Sequence, residues 1–166
     1  MIAYHEVQRF KQTWFWLLIL VAPIMVWFGM IRQLVWGRPF GNHPLSDTGM
    51  LIFGLALGIG FPLFFLSSSL TTEVRSEGIF YRYFPFHLSF KSFPYSEITH
   101  LEVITFHPLR DFGGWGLKLG RLGMSYTVYG NQGVRFVLRS GKVIVIGSQK
   151  PREFHQAVTQ ILGINI

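Results

Sequence analysis

The sequence predicts a membrane α-helical hairpin followed by an α+β domain, in which seven short antiparallel strands are closed by one C-terminal helix. Three observations carry this reading. Two uncharged apolar runs of 19 and 18 residues fall within the first 66 positions. Beyond them the apolar pattern shortens to a period of two, which is strand spacing. From Pro151 to Gly163 it returns to helical spacing.

Residues 1–12 form a cytoplasmic N-terminal segment carrying Arg9 and Lys11 against Glu6. The first span, residues 13–36, contains "TWFWLLILVAPIMVWFGMI". As a helix this run reaches about 28 Å, close to the hydrocarbon thickness of a bilayer. Trp14, Trp16 and Trp36 stand near its ends, where interfacial aromatics are expected. It is too long for a signal-peptide core and leaves through "FGMIRQ" with no small-residue cleavage site, so it reads as retained. Residues 37–48 are an external loop, and residues 49–66, "GMLIFGLALGIGFPLFFL", are a second span. The competing interpretation, a pair of buried helices in a soluble protein, fits uncharged runs of this length poorly. In the second span Gly54 and Gly58 make a small-residue face for close helix packing, against the first span or against a second copy of the chain.

Charge sets the orientation. The chain has a net charge of +7 with only 14% charged residues. In a soluble protein that excess would suggest nucleic acid. Here eleven Lys and Arg against six acids follow the second span, which marks that side as cytoplasmic. Both termini are therefore expected in the cytoplasm. The absence of cysteine excludes disulfide frameworks, thiolate nucleophiles and Cys-based metal centres.

Residues 67–166 form the second domain. "TTEVRSEGIFYRYFPF" gives a hairpin in which Ile79, Tyr81 and Tyr83 alternate with Phe80, Arg82 and Phe84. Further strands are expected in "LSFKSF", "EITHLEVITF", "MSYTVYG", "GVRFVLRSG" and "KVIVIGS", separated by turn chemistry such as "GNQG". "PREFHQAVTQILG" then places Phe154, Val158 and Ile161 at helical spacing, with Pro151 at the start and Gly163 at the stop. Seven antiparallel strands plus a C-terminal helix is the element order of a pleckstrin-homology (PH) superfold, a bent sheet or partly open barrel capped by the helix.

The two spans, "SEGIFYRYFPF", "DFGGWGLKLGRLGMSYTVYGNQGVRF" and "IGSQKPREF" together resemble the uncharacterised bacterial membrane proteins with a PH-like domain. That resemblance implies a fold and a membrane location. It implies no reaction, cofactor or catalytic residue.

The glycine-rich run needs its own reading. Gly114 and Gly116 match the start of a dinucleotide fingerprint, but its third glycine position is Leu119 and a strand pattern follows instead of a helix. The run therefore reads as a long β-connection. Its mixture of Arg110, Trp115, Lys118 and Arg121 with leucines suits a contact with lipid headgroups or a protein partner, against the plainer alternative of packing under the sheet. The six histidines show no metal-ligand spacing, although His100, Glu102, His107 and Asp111 lie close in sequence. The acids are scattered, and Ser67–Ser69 has no neighbouring base. No catalytic, cofactor or metal site assembles, and the dispersed basic residues match no nucleic-acid motif. The expected function is a membrane-anchored adaptor that binds a protein partner. An anionic-lipid-sensing or membrane-docking module is one alternative, and an accessory subunit of a membrane enzyme or transporter is another.

Overall fold

A computed structural model of the chain describes residues 2–163. Met1 and the last three residues of the domain expected at 67–166 lie outside the described residues. The chain forms two compact units. One is Lys11–Ser67, and the other joins the N-terminal strand to the residues from Ser68 onward.

The first unit is a helical hairpin. Helices α1 (Thr13–Val35) and α2 (Asp47–Ser67) have 23 and 21 residues and are long and apolar enough to cross a membrane. Leu17, Leu18, Ile24, Ile52 and Leu63 are each more than half exposed, so the two helices present an apolar surface outward. α1 continues through Pro23. At the turn, Ser46 caps α2 by accepting the Gly49 amide at 3.2 Å. The buried Gln33 donates to the Leu45 carbonyl at 2.7 Å and to Asp47 Oδ1 at 2.9 Å, holding the connecting loop to α1. Gly54 and Gly58 face α1 of the same chain. A side chain at Gly54 would meet Met30, and one at Gly58 would meet the Trp27 indole. Gly58 lies in a π-helical turn, Ala56–Gly60, and its carbonyl accepts the Trp27 indole N–H at 3.2 Å.

The second unit has nine strands among the described residues, in two sheets. β1 (Ile2–Arg9), β2 (Ser69–Arg75), β3 (Gly78–Phe84) and β4 (Lys91–Phe93) form an antiparallel sheet in that order. β5 (Ile98–Thr105), β6 (Gly116–Gly120), β7 (Gly123–Thr127), β8 (Gln132–Leu138) and β9 (Val143–Gly147) form the other, in the order β5-β8-β9-β7-β6. Two helices complete it, α3 (Pro108–Phe112) and α4 (Pro151–Leu162).

The expected count of seven strands is therefore corrected to nine. Each expected strand is present, and β1 and β6 are added. The all-antiparallel expectation also changes, because β7 and β9 run parallel. β1 escapes a periodicity reading because its inward positions include the polar Gln8 beside Tyr4. β6 escapes it because glycines stand at both ends of five residues.

The sheet unit is closed by an aromatic chain. The Phe154 ring stacks on Tyr4 at 5.1 Å and approaches Phe136 at 5.7 Å. Phe136 meets Phe93 at 5.1 Å, and Tyr81 links Phe93 to Tyr126 at 6.1 and 4.6 Å. α4 thus packs on strands of both sheets, β1 and β2 on one side and β5 and β8 on the other. Its buried stripe runs through Phe154, Ala157 and Val158, whereas Ile161 is 39% exposed.

His87 lies beside this core. It is buried, its Nδ1 accepts the Tyr83 amide at 3.3 Å, and its ring lies 5.7 Å from Tyr126. Burial, with the nearby Lys91 charge, holds its pKa below the usual 6.5. The unfolded chain then binds more protons than the folded one between the two values. Stability is therefore complete above the unfolded pKa and is lost as pH falls through the folded pKa. Hydrogen exchange of β3 and β7 amides should accelerate as pH falls from about 7 to 5, after correction for intrinsic exchange rates. His87→Gln should flatten that dependence; an unchanged slope in the variant would assign it to other groups.

Candidate functional site

The glycine-rich run leaves β5 through Phe106, a fully buried ring whose amide donates to the Asn131 carbonyl at 2.8 Å. Pro108 opens the short helix α3, as suits a first-turn proline. Asp111 Oδ2 accepts the His107 amide at 2.8 Å, and Oδ1 takes the Arg110 Nε–H at 3.2 Å. The His107 amide, aided by Arg110, holds the Asp111 carboxyl below its usual range. Gly113 ends α3 in the left-handed region at φ +72°, where a β-carbon is disfavoured.

The amides of Gly113 and Gly114 are already used, donating to the Leu109 and Pro108 carbonyls at 2.9 Å each. The glycines therefore build a helix stop and a turn into β6, and these two amides are not turned toward a ligand. A two-residue turn, Arg121 and Leu122, joins β6 to β7, and the Arg121 amide donates to the Asp111 carbonyl at 3.1 Å.

The run thus has an inner and an outer side. Inside, Leu122 and Ile104 pack on Phe106, Phe112 and Val145. Trp115 is half-buried and donates its indole N–H to the Gly130 carbonyl at 2.7 Å, so its polar end is committed to its own domain. Outside stand Arg110, Lys118 and Arg121, all exposed. Leu109 and Leu119 join them at 73% and 78% exposure. Three of the four residues expected at a contact surface are thus exposed, while Trp115 is half-buried.

β6 is an edge strand whose hydrogen-bonded neighbour is β7. An edge with unpaired backbone groups can accept an extended chain, and mixed basic and apolar side chains beside it can select acidic and apolar partners. Sequence reasoning placed Leu119 among the leucines of the run without separating it from Leu122, and did not pick out Leu109. Their residue type is that of Leu122, and only the fold distinguishes them.

Elsewhere the charged groups pair locally. Glu102 accepts Arg135 at 2.7 Å, which holds its carboxyl below the usual range, and His100 Nε2 lies 3.7 Å from it. Among the described residues no three His, Asp or Glu side chains converge as a metal site.

The model of a family of unknown function, DUF6141, matches residues 1–163, and the chain belongs to that family. No curated protein and no solved structure matches the chain.

Proposed function

We propose that the chain is a membrane-anchored adaptor with no catalytic role. It binds a protein segment along β6 at the cytoplasmic face of a bacterial inner membrane. The observation that carries this reading is the edge strand β6, on which Lys118 and Leu119 are exposed, with Arg121, Leu109 and Arg110 exposed in the segments that adjoin it in sequence. The partner's segment would add as a strand, with acidic groups meeting the basic side chains and an apolar residue covering Leu119.

Several features support the membrane placement. The two helices expose their apolar side chains along their length. β1 and β2 pair on either side of the hairpin, so both of its ends return to one sheet, which supports placing both on one side of the bilayer. The basic excess selects the cytoplasmic side.

The sheet unit reads as PH-like once β1 is included. β1–β4 followed by β5, β8 and β9 make four plus three antiparallel strands, with α4 packed across both sheets. On this reading the helical hairpin is an insertion between the first two strands, and the β6–β7 hairpin is an insertion between the fifth and the next.

A photoreactive residue at Leu119 in the full-length protein should yield a discrete protein adduct in cells. Lys118→Glu with Arg121→Glu should weaken that complex at least about tenfold, since apposed like charges cost more than the 1.4 kcal/mol this represents. An unchanged complex removes this edge as the binding site. Adducts to lipid alone would instead support a membrane-docking role for the hairpin.

A further inference from the structure

Strand register identifies the end of the sheet to which both helices are joined in the chain. Ser67 ends α2 and Ser69 begins β2, so two residue steps, at most about 7 Å of chain, join them. Arg9, the last residue of β1, pairs with Ser69, and Ser69 pairs with Phe84, the last residue of β3. Arg9, Ser69 and Phe84 therefore form one row across three strands, at the sheet end from which both helices depart. The segment after Phe84, residues 85–90, leaves the sheet at that end. The β2–β3 turn at Ser76 and Glu77 lies at the opposite end, about 20 Å away along a seven-residue strand.

Residues 85–90 are shaped to present apolar groups. The His87 amide donates to the Tyr83 carbonyl at 2.8 Å, and His87 Nδ1 accepts the Tyr83 amide at 3.3 Å. The buried imidazole packs beside Tyr81 and Tyr126, with ring centroids at 6.2 and 5.7 Å. With the middle residue drawn inward, its two neighbours are held outward, Phe86 at 58% and Leu88 at 80% exposure. The returning limb is steadied by the Arg82 guanidinium, 4.9 Å from the Phe90 ring. Exposed Arg9, Lys11 and Lys91 lie within a few residues of the same row. Two apolar side chains on a fixed loop, with cations around them, suit insertion among anionic headgroups.

We infer that residues 85–90 form a membrane-inserting loop, which seats Phe86 and Leu88 in the headgroup zone of the membrane that α1 and α2 cross. This rests on the reading of those helices as spans, and it is separate from the partner edge at β6.

The absence of cysteine allows a single reporter to be placed directly. Full-length protein carrying Leu88→Cys, Phe86→Cys, Glu77→Cys or Leu18→Cys is labelled with an environment-sensitive fluorophore. It is then reconstituted in phosphatidylcholine–phosphatidylglycerol vesicles with or without nitroxide-labelled lipid. Positions 86 and 88 should be quenched by the labelled lipid several-fold more than position 77, and position 18 should be quenched as a lipid-embedded site. Quenching at 18, with 86 and 88 no different from 77, overturns the loop while leaving the spans intact. No quenching at 18 overturns both the spans and the inference resting on them.

Discussion

A chain lacking residues 2–9 should lose its sheet unit, not only an N-terminal tail. β1 pairs with β2 along its length, from Ile2 opposite Arg75 to Arg9 opposite Ser69. It also supplies contacts that nothing else in the unit replaces. Tyr4 stacks on Phe154, and burial pushes its phenol pKa up. The Glu6 carboxylate accepts the Tyr4 hydroxyl at 2.6 Å, the Ser148 hydroxyl at 2.8 Å and the Gln149 amide at 2.8 Å. Gln8 donates to the Gly147 carbonyl at 2.6 Å. Hydrogen bonds to a charged group contribute about 1.5–3 kcal/mol each, and a whole domain is stable by about 5–15 kcal/mol. Deletion should abolish hydrogen-exchange protection in β2 and β9 of the full-length chain and open the unit to proteolysis. Native protection in the deleted chain would show β1 to be an accessory strand. Glu6→Gln, which keeps the shape and removes the charge, should lower stability by less than the deletion does.

The same strand shows what the sequence made legible. The uncharged runs are visible because a membrane-length apolar helix leaves a continuous signal, and the two helices fall where those runs lie. The alternation of Ile79, Tyr81 and Tyr83 is visible because one face of β3 is buried, and those three residues are buried. β1 carries no such mark. Its partner strand lies beyond the entire hairpin, and Gln8 fills an inward position by bonding to a carbonyl. Long-range pairing with a polar inward face is invisible to local periodicity. The parallel contact of β7 with β9 is hidden for a related reason, since strand direction depends on how the intervening β8 folds back.

At the candidate site, residue types were legible and their directions were not. Arg110, Lys118 and Arg121 are charged, and exposure is their default. Trp115 and the leucines have no such default. Trp115 turned onto its own domain because the Gly130 carbonyl gave its indole N–H a partner, while Leu122 entered the cluster around Phe106. Phe86 and Leu88 stand outward because His87 takes the inward position between them. A histidine is an unexpected anchor for that place, and the sequence pattern "FHL" gives no indication of which residue is buried.

Phe154→Ala should be the most destabilising single substitution in α4. Phe154 is fully buried, stacks on Tyr4 with an interplanar angle of 7°, and also touches Phe136. It therefore joins a strand of each sheet to the helix, and truncation removes both contacts while leaving a void among three elements. Such Phe-to-Ala changes cost about 3–5 kcal/mol, a large part of a typical domain's stability. Ile161→Ala, one residue before the end of the same helix and 39% exposed, should cost far less. The contrast matters because sequence spacing assigned both residues to one buried stripe. Pulse proteolysis of the full-length chain across a denaturant series would report both. Equal effects would mean that α4 lies on the sheets as a surface helix instead of closing them. Combining Tyr4→Ala with Phe154→Ala separates the stack from the void, because a coupling of about 0.5–1.5 kcal/mol is expected if the rings interact directly. Purely additive costs would assign the helix's contribution to burial alone, and the N-terminal strand would then be held chiefly by its pairing with β2 and the bonds of Glu6.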